Sequence, residues 1–183
     1  MSEMAGDARS AYVVRPMTEE DAVAIAAWRY APPYDVYNPD GDALELIRFF
    51  CDPANDYHAV YGDSHRQRAG GTELLGYCCY GADARVPGGV YPEEALDIGV
   101  GMRPDLTGGG RGHDFIGAII AYGLTRYRPP LLRVTIAAFN ERSQRVFRGH
   151  GFTPVRRFTR NTAAPQDFVI MLGEGEWTAD AAD

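Results

Sequence analysis

Residues 97–122, DIGVGMRPDLTGGGRGHDFIGAIIAY, decide how this chain is read. The stretch begins as a strand, passes through a turn holding Gly108, Gly109, Gly110 and Gly112, and continues as an amphipathic helix with Phe115, Ile116, Ile119, Ile120 and Gly123 on one face. Glycines packed this densely before a helix leave backbone N–H groups uncovered, with the positive end of the helix dipole behind them. That is an anion site, and a ligand bearing phosphates is expected. Two familiar phosphate loops are excluded. A P-loop needs Gly-Lys-Ser/Thr, and this chain has no lysine, so its 18 basic residues are all arginine. A dinucleotide fingerprint begins at Gly99 and Gly101, but Pro104 stands at the third glycine position. The lack of lysine also rules out a Schiff-base mechanism.

Thr107-Gly-Gly-Gly-Arg-Gly112 at a strand-to-helix junction, with Asn140-Glu-Arg-Ser143, Phe147 and Gly151-Phe152 downstream, resembles the paired motifs of the GCN5-related N-acetyltransferase (GNAT) superfamily. The resemblance covers about residues 11–173. It implies a mixed, mostly antiparallel α/β sheet of about seven strands flanked by about four helices, and acetyl-CoA as co-substrate. Gly108, Gly109, Gly110, Arg111, Gly112 and His113 would meet the pyrophosphate. Thr107, where relatives carry Arg or Gln, would cap the helix or reach a phosphate. The strand before the turn would splay from the next one and offer Gly101 and Met102 to the pantetheine arm, a backbone N–H there also serving as oxyanion donor. Asn140, Ser143 and Phe147 would line the same arm, Asn140 serving also or instead as a helix N-cap.

Amine acetylation needs a proton acceptor. Asp97, on the motif strand, is the candidate general base, with Glu93, Glu94 and Asp35 in reserve. Relatives protonate the departing thiolate with a tyrosine where this chain has Phe147. The acid is therefore water, another hydroxyl, or absent, which keeps a non-catalytic acyl-CoA-binding module as the alternative. A domain for a different nucleotide is a third reading. The aromatic loop after the first helix, with Trp28, Tyr34, Asp35 and Tyr37, is the candidate acceptor pocket and suits a cationic amine through ring faces and one carboxylate. The same residues also read as a proline-stiffened plug over the core. Gly99 and Gly101 either permit a strand bulge or relieve crowding in the sheet.

The rest of the chain is consistent with one domain between short tails at 1–10 and 174–183. Expected strands are Ala11–Arg15, Tyr57–Tyr61, Glu73–Tyr80, Ala95–Met102, Leu131–Phe139, Phe152–Thr159 and Asp167–Leu172. Expected helices run from the Thr18 N-cap to about Tyr30 and over Asp42–Cys51, Gly109–Tyr127 and Glu141–Gly149. A polar hairpin loop is expected at Gly62–Gly71. Net charge −7 argues against a nucleic-acid surface and fits a basic amine better. No apolar run approaches a membrane span. Three cysteines without metal spacing suggest the reducing cytoplasm, with Cys78 and Cys79 packed on opposite faces of a strand. The histidines His58, His65, His113 and His150 form no metal or triad pattern, so no metal is expected. Among similar proteins homodimers are common.

Overall fold

The computed structural model describes residues 12–62 and 73–175. Ala11, the expected tail at 1–10, the part of the expected 174–183 tail beyond Gly175, and the hairpin loop after Gly62 lie outside the described residues, while Glu174 belongs to the last strand. The elements follow the expected order: β1 (Tyr12–Pro16), α1 (Glu19–Ala26), α2 (Ala43–Cys51), β2 (Tyr57–Gly62), β3 (Glu73–Tyr80), β4 (Leu96–Met102), α3 (Gly112–Tyr127), β5 (Leu131–Ala137), α4 (Glu141–Gly149), β6 (Thr153–Arg160) and β7 (Gln166–Glu174). They build one seven-stranded sheet, β1-β2-β3-β4-β5-β7-β6, in which β4 and β5 are the parallel neighbours and every other pairing is antiparallel.

Local chemistry sets the helix ends. The Thr18 hydroxyl accepts from Asp21 N–H and the Asp21 carboxylate accepts from Thr18 N–H, a reciprocal cap that starts α1. The helix stops at Ala26, short of the expected Tyr30. Trp28 N–H turns tightly to Ile25 C=O, and the Arg29 guanidinium takes the Ala26 and Trp28 carbonyls at 2.8 and 2.7 Å. At α3 the helix begins three residues later than expected, because Gly108 (φ 83°) and Gly110 (φ 77°) adopt left-handed backbone that a helix cannot use.

The core lies on both faces of the sheet. Phe115, Ile116 and Ile119 of α3 and Phe147 of α4 pack with Ile98, Leu132, Val134 and Ile136 on one face. Ala22, Ile25, Ala26 and Phe50 of α1 and α2 pack with Trp28, Tyr57 and Tyr77 on the other. Cys78 and Cys79 are both buried, Cys78 within the α3-side core and Cys79 with its sulfur against Gly99.

Two features of β4 position the site. First, β4 and β5 pair only at Leu96↔Leu132 and Asp97↔Arg133, and beyond that rung they diverge into a fork. Arg103 N–H bonds to Leu75 C=O and Gly81 N–H to Asp97 C=O, so odd-numbered residues of β4 address β3. Ile98, Val100 and Met102 therefore turn their main-chain groups into the fork. This corrects the expectation for Gly101, whose amide faces Tyr77 of β3. Second, the β3–β4 register runs unbroken, so the glycines make no bulge. A Cβ at Gly101 would stand 2.3 Å from the Tyr77 ring and one at Gly99 2.5 Å from Cys79 Sγ. The glycines relieve crowding.

Candidate active site

The fork opens into a cavity of about 800 Å³ that runs from the glycine turn to the aromatic loop. It brings together Gly101, Met102, Thr107, Gly108, Gly110, Arg111, Gly112, His113, Asn140, Ser143 and Phe147 from the expected cofactor set, and Tyr34 and Tyr37 from the expected acceptor set. Gly109, Trp28, Asp35 and Asp97 are outside its lining. Trp28 packs in the α1–α2 core beside Tyr77 at 6.2 Å, and Asp35 is exposed.

At the turn, the amides from Gly108 to Asp114 donate to no acceptor among the described residues, and α3 has no side-chain N-cap. Thr107 neither caps the helix nor faces the ligand space with its proton, since its hydroxyl donates to Pro104 C=O at 2.9 Å. Around Gly110 a Cβ would meet no protein atom within 4 Å. Gly112 has a different reason: a Cβ there would stand 3.2 Å from Val146, where α3 crosses α4. Positive charge comes from Arg111 and from Arg142, whose guanidinium lies 4.8 Å over the Tyr34 ring and 3.2 Å from the Cβ position of Gly108. Arg142 was missed because it sits at a variable place inside the Asn-x-x-Ser pattern. An uncapped helix start, open amides and two guanidiniums fit a pyrophosphate. The unpaired β4 edge fits an extended amide-bearing arm.

Two loop tyrosines tie the aromatic loop to the two lips of the fork. Tyr30 donates to Met102 C=O at 2.8 Å, and burial pushes its hydroxyl up to about 12. Tyr37 accepts from Ala137 N–H at 3.3 Å and from Asn140 Nδ2 at 3.2 Å. Burial pushes the Tyr37 hydroxyl up, while these two donors pull it back. Asn140 also caps α4 through Ser143 N–H at 3.1 Å, the N-cap role expected of it, and it lines the cavity. Nothing in the sequence separates Tyr30 from the other rings of the aromatic run. Its long reach to Met102 depends on tertiary packing.

The structure does not support Asp97 as a base. It is 1% exposed, and its carboxylate receives Arg133 Nε at 2.6 Å, Arg133 Nη2 at 2.7 Å and Arg85 Nε at 2.8 Å. Its oxygens are taken by three N–H groups of two guanidiniums at the vertex of the fork, and it does not line the cavity. Glu93 is likewise engaged, by Arg133 and Arg156, and neither it nor Glu94 lines the cavity. The one carboxylate lining the cavity among the described residues is Asp105, an exposed partner of Arg103 at 2.7 Å that this contact holds below the usual range. His113 stacks on His150 at 4.1 Å at the outer rim. No cluster able to hold a metal occurs among the described residues, and no described helix is long and apolar enough to cross a membrane.

The model for the acetyltransferase (GNAT) domain matches residues 12–153. No curated protein matches the sequence. Among solved structures, a chimera of spermidine N-acetyltransferase SpeG from Vibrio cholerae with hSSAT superposes with a TM-score of 0.70 at 16% identity, covering 91% of this chain and 96% of its own. A GNAT-family acetyltransferase from Bacillus anthracis gives 0.69 at 16% identity, with 91% and 96% covered. The putative acetyltransferase yncA of Salmonella typhimurium, solved with its cofactor acetyl-CoA, gives 0.60 at 16% identity, with 92% and 96% covered.

Proposed function

The chain belongs to the GNAT acetyltransferase family and is an acyltransferase, and from that premise we propose that it moves an acetyl group from acetyl-CoA to a primary amine of a small molecule or peptide, directly within a ternary complex. The observation that carries this reading is a single cavity joining an unpaired β4 edge to a turn of open amides. The Gly108–His113 amides with Arg111 and Arg142 hold the pyrophosphate. Val100 and Met102 receive the pantetheine amides. With no buried carboxylate in the cavity, water carries the proton away from the amine.

The acceptor end bears on substrate class. Several similar structures act on spermidine, but a polycation needs several carboxylates. Here the cavity presents Tyr30, Tyr34, Tyr37, Tyr77 and Arg29 beside the single, already paired Asp105. Ring faces of this kind favour a monoamine with an apolar or aromatic body. Buried reduced Cys78 and Cys79 favour a reducing compartment such as the cytoplasm.

Calorimetry with coenzyme A, followed by thiol release from acetyl-CoA over a panel of monoamines, polyamines and peptide N-termini, tests the proposal. Binding with turnover of a monoamine supports it, and no coenzyme A binding at millimolar concentration overturns it. Phe147, buried and without a proton to give, favours the second reading of a non-catalytic acyl-CoA binder. Binding without turnover of any amine would decide for that.

A further inference from the structure

Tyrosines and arginines line the cavity, but the hydroxyl of Tyr37 differs from the others in what its oxygen receives. Asn140 Oδ1 accepts Ser143 N–H, which fixes the amide so that Nδ2 faces Tyr37. That NH₂ group can only donate. Ala137 N–H, the second neighbour of the phenol oxygen, can also only donate. Tyr37 Oη therefore accepts twice, and its own hydrogen is given to no acceptor among the described residues. The side chain lines the cavity, and its oxygen sits on the β5 lip of the fork. By contrast, the proton of Tyr30 is already given to Met102 C=O. Tyr34 and Tyr77 also line the cavity, but neither hydroxyl receives an N–H donor among the described residues, and burial raises that of Tyr77 strongly with nothing to offset it.

Phe147 stands on the same face of α4 as Asn140, seven residues or two turns on. Both line the same cavity as Tyr37. Resting on the acyl-CoA reading above, we propose that Tyr37 is the proton donor to the coenzyme A sulfur, performing from the loop before α2 what Phe147 cannot perform from α4. The amine nitrogen forms its bond to the thioester carbonyl carbon. The C–S bond breaks, its electron pair goes to sulfur, and the Tyr37 proton follows. The proton lost by the new amide nitrogen returns through water to the phenolate, so the tyrosine ends unchanged and one proton has moved from nitrogen to sulfur. Two N–H donors on the phenol oxygen stabilise the phenolate that forms in passing.

The test compares the full chain with Tyr37→Phe and with Tyr37→Phe/Phe147→Tyr. The first readout is the ultraviolet absorbance of the thiolate of bound coenzyme A as a function of pH. A hydroxyl donor at sulfur stabilises the thiolate, so the bound thiol titrates at lower pH in the wild type than in Tyr37→Phe. The second readout is turnover with acetyl-CoA. Tyr37→Phe is expected to lower kcat about 10²-fold or more with the acetyl-CoA KM nearly unchanged, and the double variant to recover part of that loss. Identical thiol titration in wild type and Tyr37→Phe, with coenzyme A still bound, overturns the role of Tyr37 and leaves the acetyltransferase reading standing. No binding to the wild type overturns that reading instead. A Tyr37→Phe chain that loses coenzyme A affinity, regains no kcat in the double variant and shows no change in thiol titration assigns the residue a merely structural tie.

Discussion

Three arginine N–H groups converge on the Asp97 carboxylate, and Arg133 is itself fully buried, with its remaining nitrogen on Glu93 and its plane 4.9 Å from the Tyr91 ring. Removing one partner leaves a buried charge without compensation. Asp97→Asn is therefore expected to cost about 3–5 kcal/mol of stability, read by urea denaturation. Below its melting transition the variant should retain the acetyl-CoA KM. Unchanged stability with a collapsed kcat would instead return Asp97 to the chemistry. At this scale the sequence was only partly legible. It pointed to the motif strand, but it could not show that Asp97 is spent on ion pairs, because one partner, Arg133, lies 36 positions away and only the cross-strand register brings the two together.

Among the elements, the glycines of the β4–turn–α3 unit have two structural roles, and one of them has neither. Gly108 and Gly110 supply left-handed backbone, Gly112 lets α3 approach α4, and Gly109 does neither, since a Cβ there meets only Leu106 C=O at an ordinary 3.7 Å. Gly110→Ala should lose about 1–2 kcal/mol through backbone strain, whereas Gly109→Ala should melt like the wild type. Coenzyme A titration of both separates conformation from ligand contact: a loss of affinity in Gly109→Ala with its melting unchanged places the ligand against that turn. Element order, the Thr18 cap and the buried face of α3 followed from pattern, because capping and periodicity are local. The fork was anticipated only through the family resemblance, since where two parallel strands stop pairing depends on neighbours far along the chain. The ends of α1 and α3 shifted where side-chain capping and positive φ overrode periodicity.

For the molecule as a whole, titration of buried groups bounds the working pH. Burial holds the His58 ring below its ordinary 6.5. The unfolded ring takes up its proton first, so stability is complete above pH 6.5 and falls as pH drops toward the folded value, by up to about 1.4 kcal/mol per pH unit for this one proton. On the alkaline side burial raises Tyr30 from 10.0 to about 12, and Tyr57 and Tyr80 further. Unfolded tyrosines ionise first, so that contribution is whole below pH 10 and is lost as pH rises toward 12. Thermal denaturation from pH 5 to 11 should show a plateau between these limits, and His58→Gln should flatten its acid shoulder.

The last rung between β4 and β5 is also the Asp97–Arg133 ion pair, and beyond it the two strands part. A sheet kept permanently ajar leaves hydrogen-bonding edges with no mate inside the fold, which is the feature that seeds strand exchange and fibrils in other settings. Here the tyrosine-laced loop over the gap shields them. Shortening that loop would do more than empty a pocket: it would turn a docking slot for a small arm into an adhesive seam between copies of the chain.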